Sequence, residues 1–321
     1  MKTAQPLARR GLYRLPKLSA IAKQLFWPPV KRIASLFLHV CAWQPFLRSQ
    51  LVRKLVFDAA PRNRLLIAPW PEGSFVVRAG DKVLGRPLYS SGALEIDKLW
   101  RALAYLRNFE GDLFIDIGAN TGFVSIPAVK SGRFQRAIAV EPEPFNFRLL
   151  CANIHLNGLG PQIVAHNVAL GAREQVDVSF ELSETNFGDH RIRLSADPGL
   201  FGEDRRETIR VKMMQLDLLI PSLDPRRTMI WMDTQGFEGH ILAGARNALA
   251  ARPPLVLEFW PYAMNRAGSY EPLKDALLSA GYSNFCDVKH GVPLGHPAEN
   301  NLNELYHRLD STMKSNDLLF F

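Results

Sequence analysis

Phe114-Ile115-Asp116-Ile117-Gly118-Ala119-Asn120-Thr121-Gly122 is the stretch on which the reading of this chain turns. An apolar run ending in an acid, then a glycine turn opening a helix, describes a β-strand that delivers its C-terminal end to a ligand. Glycine lets the backbone come close to such a ligand, and the first helical turn offers N–H groups with no partner inside the helix. The dinucleotide pattern G-x-G-x-x-G needs a second glycine where Asn120 stands, and no Walker lysine follows, so neither NAD or FAD nor a nucleoside triphosphate suits the turn. An ordinary tight strand-to-helix turn is the alternative for this motif taken by itself.

Outward from the motif, strands and helices alternate. Ala137 to Val140 reads as a strand and about Pro144 to Asn157 as a helix; Gln162 to Val168 and Met229 to Met232 read as strands, and Gly236 to Ala250 as a helix. Leu255 to Phe259 follows as a strand, Glu271 to Ala280 as a helix, and Asn284 to Val288 and Asp317 to Phe321 as two last strands. This rhythm marks an α/β fold whose sheet is mostly parallel. Before the motif, Phe75 to Arg78 and Lys82 to Gly85 around Ala79-Gly80-Asp81 read as a small β-hairpin, and Ala93 to Asn108 as a helix. Residues 172–228 break the rhythm: two alternating strands flank a polar loop rich in Gly, Asp and Arg, a common place for specificity.

Two further turns bear on the ligand. Glu141-Pro142 closes the next strand 25 residues after Asp116, where a carboxylate accepts hydrogen bonds from both hydroxyls of a ribose. His166-Asn167-Val168-Ala169-Leu170-Gly171 closes the strand after that. Two readings stand for Asn167: alongside the base of a nucleoside, or bonded to its own turn.

Together, FIDIGANTG, the strand ending AVEPEPFNFRLLCANIHLNGL, HNVALG, MDTQGFEGHIL and LVLEF resemble the FkbM family of S-adenosylmethionine-dependent methyltransferases, over roughly Leu113 to Phe259. The resemblance implies a class I Rossmann-like, mostly parallel seven-stranded sheet with helices on both faces, here with an N-terminal helical arm and the small hairpin. It implies S-adenosyl-L-methionine as cofactor, with Asp116, Gly118, Ala119, Asn120, Thr121 and Gly122 shaping the methionine pocket, Glu141 and Pro142 at the ribose and Asn167 near adenine. Asp233 would face the methyl group. The family's pattern there often reads Lys-Ile-Asp-Val-Glu-Gly, whereas this chain has Trp231 for the Lys and Gln235 for the Glu, so no role of those two side chains carries over.

A sulfonium methyl is already activated, so holding the acceptor in line with the C–S bond supplies much of the catalysis. A base is required only where the acceptor must lose a proton, and Asp233 and Glu258, at the C-terminal ends of strands, are the catalytic candidates. The competing readings are a helix cap for Asp233 and a buried structural carboxylate for Glu258. His240 reads as structural. The Asn- or Asp-Pro-Pro-aromatic pattern of base amino-methylation is missing at Asp233-Thr234-Gln235-Gly236, and no cysteine stands there for cytosine-C5 chemistry. A nucleic-acid partner is therefore not expected. The resemblance points to O-methylation of a saccharide, glycolipid or secondary metabolite, hence a small-molecule or glycan acceptor. A catalytically inactive cofactor-binding protein that docks on a membrane or partner is the alternative, motivated by Trp231 and Gln235.

Charge is unevenly spread. Met1 to Phe57 holds 11 Lys or Arg and no acid, leaving 28 basic against 31 acidic residues in the rest, so the overall +8 belongs to the arm and the remainder is mildly acidic. In the arm Ile33, Leu36, Phe37, Val40, Trp43, Leu47, Leu51 and Leu55 recur at helical spacing among basic residues. That suits peripheral contact with an anionic membrane, or a helical cap on the main domain. With 321 residues, 47% hydrophobic, there is enough chain for a large core, and no run reaches the 18–20 or so apolar residues of a membrane span. Three cysteines, Cys41, Cys151 and Cys286, form no CxxC pair, so neither a disulfide framework nor a thiolate zinc site is expected, and a reducing, cytoplasmic setting fits. The expected organisation is an arm over 1–57, a hairpin and helix over 58–110, and a methyltransferase domain over 111–321 with 172–228 as its specificity insertion. The sequence sets no oligomeric state.

Overall fold

The computed structural model describes residues 49–93, 96–107 and 109–321. Most of the basic arm, residues 1–48, lies outside them, so its expected helices are not described. Within them a helix spans Gln50–Ala59 and buries Phe57, whose ring lies 5.8 Å from that of Tyr89.

Strands β1 (Leu65–Trp70) and β2 (Gly73–Arg78) then pair antiparallel, from Leu65↔Arg78 to Trp70↔Gly73. The hairpin thus sits one strand earlier than its sequence reading. Lys82 to Gly85 is no strand, because the Asp81 carboxylate accepts the N–H groups of Val83 and Leu84 and turns the chain into a helix over Gly85–Ser91. Pro69 disguises β1, and proline is tolerated there because, among the described residues, no further strand lies beside the pair. On the other side of β2, Asn153 and Asn157 stand in for a neighbour. The Asn153 Oδ1 accepts the Val76 N–H at 2.7 Å and the Asn157 Oδ1 that of Ser74 at 2.9 Å. A further helix, Ile96–Tyr105, leads into the main sheet.

That sheet begins with β3 (Leu113–Ile117), β4 (Arg136–Val140) and β5 (Ile163–His166), all parallel. The chain next builds a separate four-stranded sheet from β6 (Ala169–Leu170), β7 (Gln175–Leu182), β8 (Arg191–Ile192) and β9 (Glu207–Met214), in the order β6-β9-β7-β8. It returns to the main sheet with β10 (Thr228–Met232), parallel to β3, and β11 (Leu255–Phe259), parallel to β10. β12 (Phe285–Asp287), β13 (Val292–Gly295) and β14 (Asn316–Phe320) complete an eight-stranded order β13-β12-β14-β11-β10-β3-β4-β5. β14 runs antiparallel between β11 and β12.

Seven of these strands are the expected ones, and β13 is an eighth, added on the outer edge. Its side chains are largely exposed and it contains Pro293, so it carries no apolar alternation by which sequence could find it. Strand side chains alternate between two cores. Ile115, Ile117, Ile230, Met232, Leu255 and Leu257 pack on one face, and Phe114, Met229, Trp231 and Val256 on the other, so β3, β10 and β11 read as continuous apolar runs. The order of the sheet reverses between β3 and β10: strands after β3 are laid toward one edge and strands after β10 toward the other. The loops leaving these two strands diverge, and an open α/β sheet binds its ligand in the crevice so formed.

Candidate active site

The Gly118 turn is set by how closely β3 and β10 emerge side by side. The N–H of Asp233 donates to Ile117 O at 3.0 Å, and a Cβ on Gly118, whose φ is 85°, would lie 1.9 Å from the Asp233 carbonyl oxygen. Only glycine fits both the left-handed backbone and that approach. On its other side the turn is pinned to β4, the N–H groups of Gly118 and Ala119 both donating to Val140 O at 3.0 Å.

Glu141 is the hub of the next layer. It is 5% exposed; its Oε2 accepts the Asn120 N–H at 2.9 Å and its Oε1 the Glu143 N–H at 2.8 Å. Burial pushes its carboxyl up to about 8, with the charge of Glu143 adding to the effect. Asp116, also buried, accepts the Ser125 N–H at 3.1 Å, and burial pushes its carboxyl up to about 7.

Two cavities flank the turn. One, with about 540 Å³ of empty space, has Glu141 and Asn120 at its polar end and Val168, Leu170, Phe180 and Ile241 among its apolar walls. The insertion reaches over it: the Phe187 carbonyl accepts from the amides of Asn120 and Asn146, each at 2.9 Å, and the Phe187 ring stacks on His190. His190 Nδ1 accepts the Ser183 N–H, and burial, with Arg78 and Arg206 nearby, drives the imidazole down to about 3, so it is neutral. The second cavity, with about 1000 Å³ of empty space counting its open mouth, lies across the turn among Asp116, Ala119, Trp231 and Asp233 on one side and Leu84 and Pro87 on the other. Gly118, Asn120 and Asp233 line both.

Asp233 does not cap the helix Glu238–Ala243, which has no side-chain cap. Instead, Gln235 Nε2 donates to Asp233 Oδ1 at 2.6 Å and to Glu258 Oε2 at 2.9 Å, joining the carboxylates at the ends of β10 and β11. Gln235 adopts φ 56°, an uncommon backbone for this residue type that aims its amide into the pair. Burial and the neighbouring charge of Asp233 hold the Glu258 carboxyl well above the usual range, with Glu238 and Asp317 adding. Glu238, fully buried and itself shifted upward by burial, accepts from both the N–H and the hydroxyl of Thr234 and so ties down the loop after Asp233.

Of the residues singled out from sequence, Asp116, Gly118, Ala119, Asn120, Glu141, Pro142 and Asp233 line one cavity or both. Gly122 instead packs against Ile126 and Leu150, and the Thr121 carbonyl accepts from Asn153. Asn167 lines neither cavity: its amide donates to the carbonyls of Glu141 and Pro142 at 2.8 and 3.0 Å, bonding its turn. His240 bonds the Ala267 carbonyl at 2.8 Å. Sequence reasoning missed Gln235 as a bridge, Glu238 as an anchor, and Asn146, Phe187 and His190 as closing elements. Glu238 stands inside a motif already singled out. Phe187 and His190 sit in a polar loop whose folding back leaves no periodic signal.

A crevice at the reversal of a parallel sheet, with a buried carboxylate at its second strand and no glycine-rich phosphate loop, defines the class I methyltransferase fold. The family model for the methyltransferase FkbM domain matches residues 116–283, over half of the chain. The chain belongs to the FkbM methyltransferases, a family that uses S-adenosylmethionine. Among solved structures, the methyltransferase FkbM from Methylobacillus flagellatus KT is 18% identical, with a TM-score of 0.44, over 73% of this chain and 50% of that one; this chain thus spans half that protein's length. M. jannaschii TYW2 in complex with AdoMet is 12% identical, with a TM-score of 0.37, over 81% and 87% of the two chains. A geranyl diphosphate methyltransferase in complex with SAM is 9% identical, with a TM-score of 0.39, over 74% and 86%. No curated protein matches the chain.

The residues present fit the cofactor. Glu141 spends one lone pair of each oxygen on the backbone and keeps others for two hydroxyls, the walls beside it are apolar enough for a base, and Asn120 Oδ1 is a buried acceptor without a partner.

Proposed function

We propose that this chain transfers the methyl group of S-adenosylmethionine to a hydroxyl oxygen of a saccharide, glycolipid or secondary metabolite. The observation that supports this reading best is the Asp233–Gln235–Glu258 bridge, in which the carboxylate of Asp233, lining the second cavity, is tied through the Gln235 amide to that of Glu258.

Glu141 and Asn120 would hold the cofactor, which would supply an electrophilic methyl on a positively charged sulfur. Glu141 would accept hydrogen bonds from the ribose hydroxyls, and Phe187, lining the same cavity, would help to exclude water. Burial and the neighbouring charge of Asp233 hold the Glu258 carboxyl well above the usual carboxylate range, so the two bridged carboxyls do not both ionise readily. Asp233 would accept the proton of the acceptor hydroxyl, whose oxygen would take the methyl group while the sulfur keeps the electron pair of the C–S bond. Gln235, donating to both carboxylates, orients Asp233 toward the acceptor. Trp231 supplies an apolar wall with no charge to compete for the proton.

The test is a comparison of glycans and lipids from cells with and without the intact gene, by mass spectrometry. The reading expects species lighter by one methyl group in the deletion strain, the methyl mapping to an oxygen. Identical profiles, or a methyl on nitrogen or carbon, would remove it.

A further inference from the structure

The insertion closes one of the two cavities that meet at the Gly118 turn, and a different segment closes the other. Phe180, Phe187, His190 and Ile192 line the cavity beside Glu141, whereas among the described residues Gly188 alone of the insertion lines the second. The second is walled instead by Val83, Leu84, Pro87, Leu88 and Ala93, from the turn and helix that follow β2. These residues precede the stretch 116–283 that the family model matches.

The wall is held from several sides. Asp81 fixes the turn through the N–H groups of Val83 and Leu84, and Arg86 donates to both carboxylate oxygens of Asp58, at 2.7 and 2.6 Å. The Trp70 indole N–H donates to Leu88 O at 2.7 Å, and Gly92, at φ 73°, ends the helix with its own N–H on the same carbonyl. Leu84 breaks a local rule. It is the N-cap of the helix over Gly85–Ser91, a position that favours Ser, Thr, Asp or Asn because their side chains meet free N–H groups, and it makes no such bond. Its side chain lines the cavity and packs at Gly188, where an added Cβ would lie 2.6 Å from Leu84 Cδ1. Departures of this kind from local preference concentrate at functional sites. Beside it Val83 lines the same cavity and is half exposed.

Phe123, Val124 and Trp231 complete an apolar lining. The charged side chains that reach the cavity are the carboxylates of Asp116 and Asp233, and among the described residues no Lys, Arg or His lines it. The ammonium and sulfonium groups of S-adenosylmethionine are cations that would answer those carboxylates. An anionic acceptor would be desolvated beside them with no cation to meet it.

Resting on the methyl-transfer reading above, we infer that Val83, Leu84, Pro87 and Leu88 select the acceptor, and that they select an uncharged molecule presenting apolar surface beside its hydroxyl, as a glycolipid does. The hydroxyl would lie at Asp233, where the two cavities meet, and the apolar part against this wall and Trp231.

Isothermal titration of the full chain, saturated with S-adenosylhomocysteine, tests this with octyl glucoside, octyl glucuronide and glucose, the alkyl probes kept below the concentrations at which they form micelles. Octyl glucoside should bind saturably and at least about tenfold more tightly than either of the others. Leu84→Ser removes part of the apolar wall while giving the helix a favoured cap, and Val83→Asp puts a charge at a half-exposed position. Each should weaken octyl glucoside about fivefold or more and leave S-adenosylhomocysteine affinity within about twofold. Glucose or the glucuronide binding as tightly, no binding by any probe, or binding that neither variant weakens overturns the assignment. S-adenosylhomocysteine affinity, measured first in the same series, judges the methyltransferase reading separately. Its binding without any preference for octyl glucoside would sink the acceptor wall alone, and its failure to bind would sink the reading beneath.

Discussion

Replacing Glu141 separates the cofactor role of this residue from its structural one. The carboxylate meets two backbone N–H groups, of Asn120 and Glu143, and the ribose would add two hydroxyl donors. Each charge-assisted bond is worth about 1.5–3 kcal/mol, and each orphaned buried amide costs about 1–3 kcal/mol. Glu141→Ala should therefore weaken S-adenosylmethionine well beyond tenfold, since tenfold is only about 1.4 kcal/mol, and should also lower the melting temperature of the free protein. Glu141→Gln keeps the shape but turns an N–H₂ toward one of the two backbone donors, so it should lose nearly as much affinity. Protonation gives a second readout. The folded carboxyl is shifted up to about 8 from 4.5, so its contribution to stability is full below pH 4.5 and is lost as pH rises toward 8. Hydroxyl donors favour the ionised form, so cofactor binding at pH 7 should release a proton, detectable by calorimetry in buffers of different ionisation enthalpy. Glu141→Gln should abolish that release. Unchanged affinity together with an unchanged proton count would place the ribose elsewhere, and a lower melting temperature with unchanged affinity would make Glu141 a pin of the Gly118 loop only.

Asp233→Asn should leave cofactor affinity within a few fold while turnover drops about 10² to 10⁴-fold; full turnover would leave positioning as the source of catalysis. Gly118→Ala forces its Cβ against the Asp233 carbonyl and should abolish cofactor binding by calorimetry, through displacement of both loops. Phe57→Ala, which removes a ring 1% exposed, should cost about 3–5 kcal/mol in denaturant unfolding; a loss below about 1 kcal/mol would mean that the helix over Gln50–Ala59 is dispensable. Deleting residues 1–48 leaves that helix whole and should abolish salt-sensitive co-sedimentation with anionic vesicles without changing cofactor affinity. Equal sedimentation of both forms would reject a membrane role for the arm.

The sheet was legible because its central strands are buried on both faces. Phe114-Ile115, Met229 to Met232 and Leu255 to Phe259 had to be apolar throughout, and the glycine turn and Glu141 mark the ends of their strands. The hairpin was misplaced because Pro69 hides a strand in an edge position, where proline costs no ladder bond, while Lys82 to Gly85 alternates but is captured by Asp81. The helix Glu299–Asp310 has Leu302, Leu305 and Leu309 at helical spacing and was open to discovery. At the site, spacing pointed to residues that backbone geometry must fix, such as Gly118, and to lone acids such as Glu141 and Asp233. It was silent on contacts made between distant segments. Nothing local to Gln235 announces a bridge from Asp233 to Glu258, and nothing in 172–228 tells that Phe187 folds back onto Asn120 and Asn146.

The most direct test of the account is transfer itself. The full chain and its Asp233→Asn variant are incubated with methyl-deuterated S-adenosylmethionine and fractionated acidic and neutral glycans, and products are read by mass spectrometry. The account predicts a deuterated methyl on a hydroxyl oxygen of a glycan, formed by the native protein and strongly reduced in the variant. No labelled product in any fraction, from protein that binds the cofactor saturably, would contradict it.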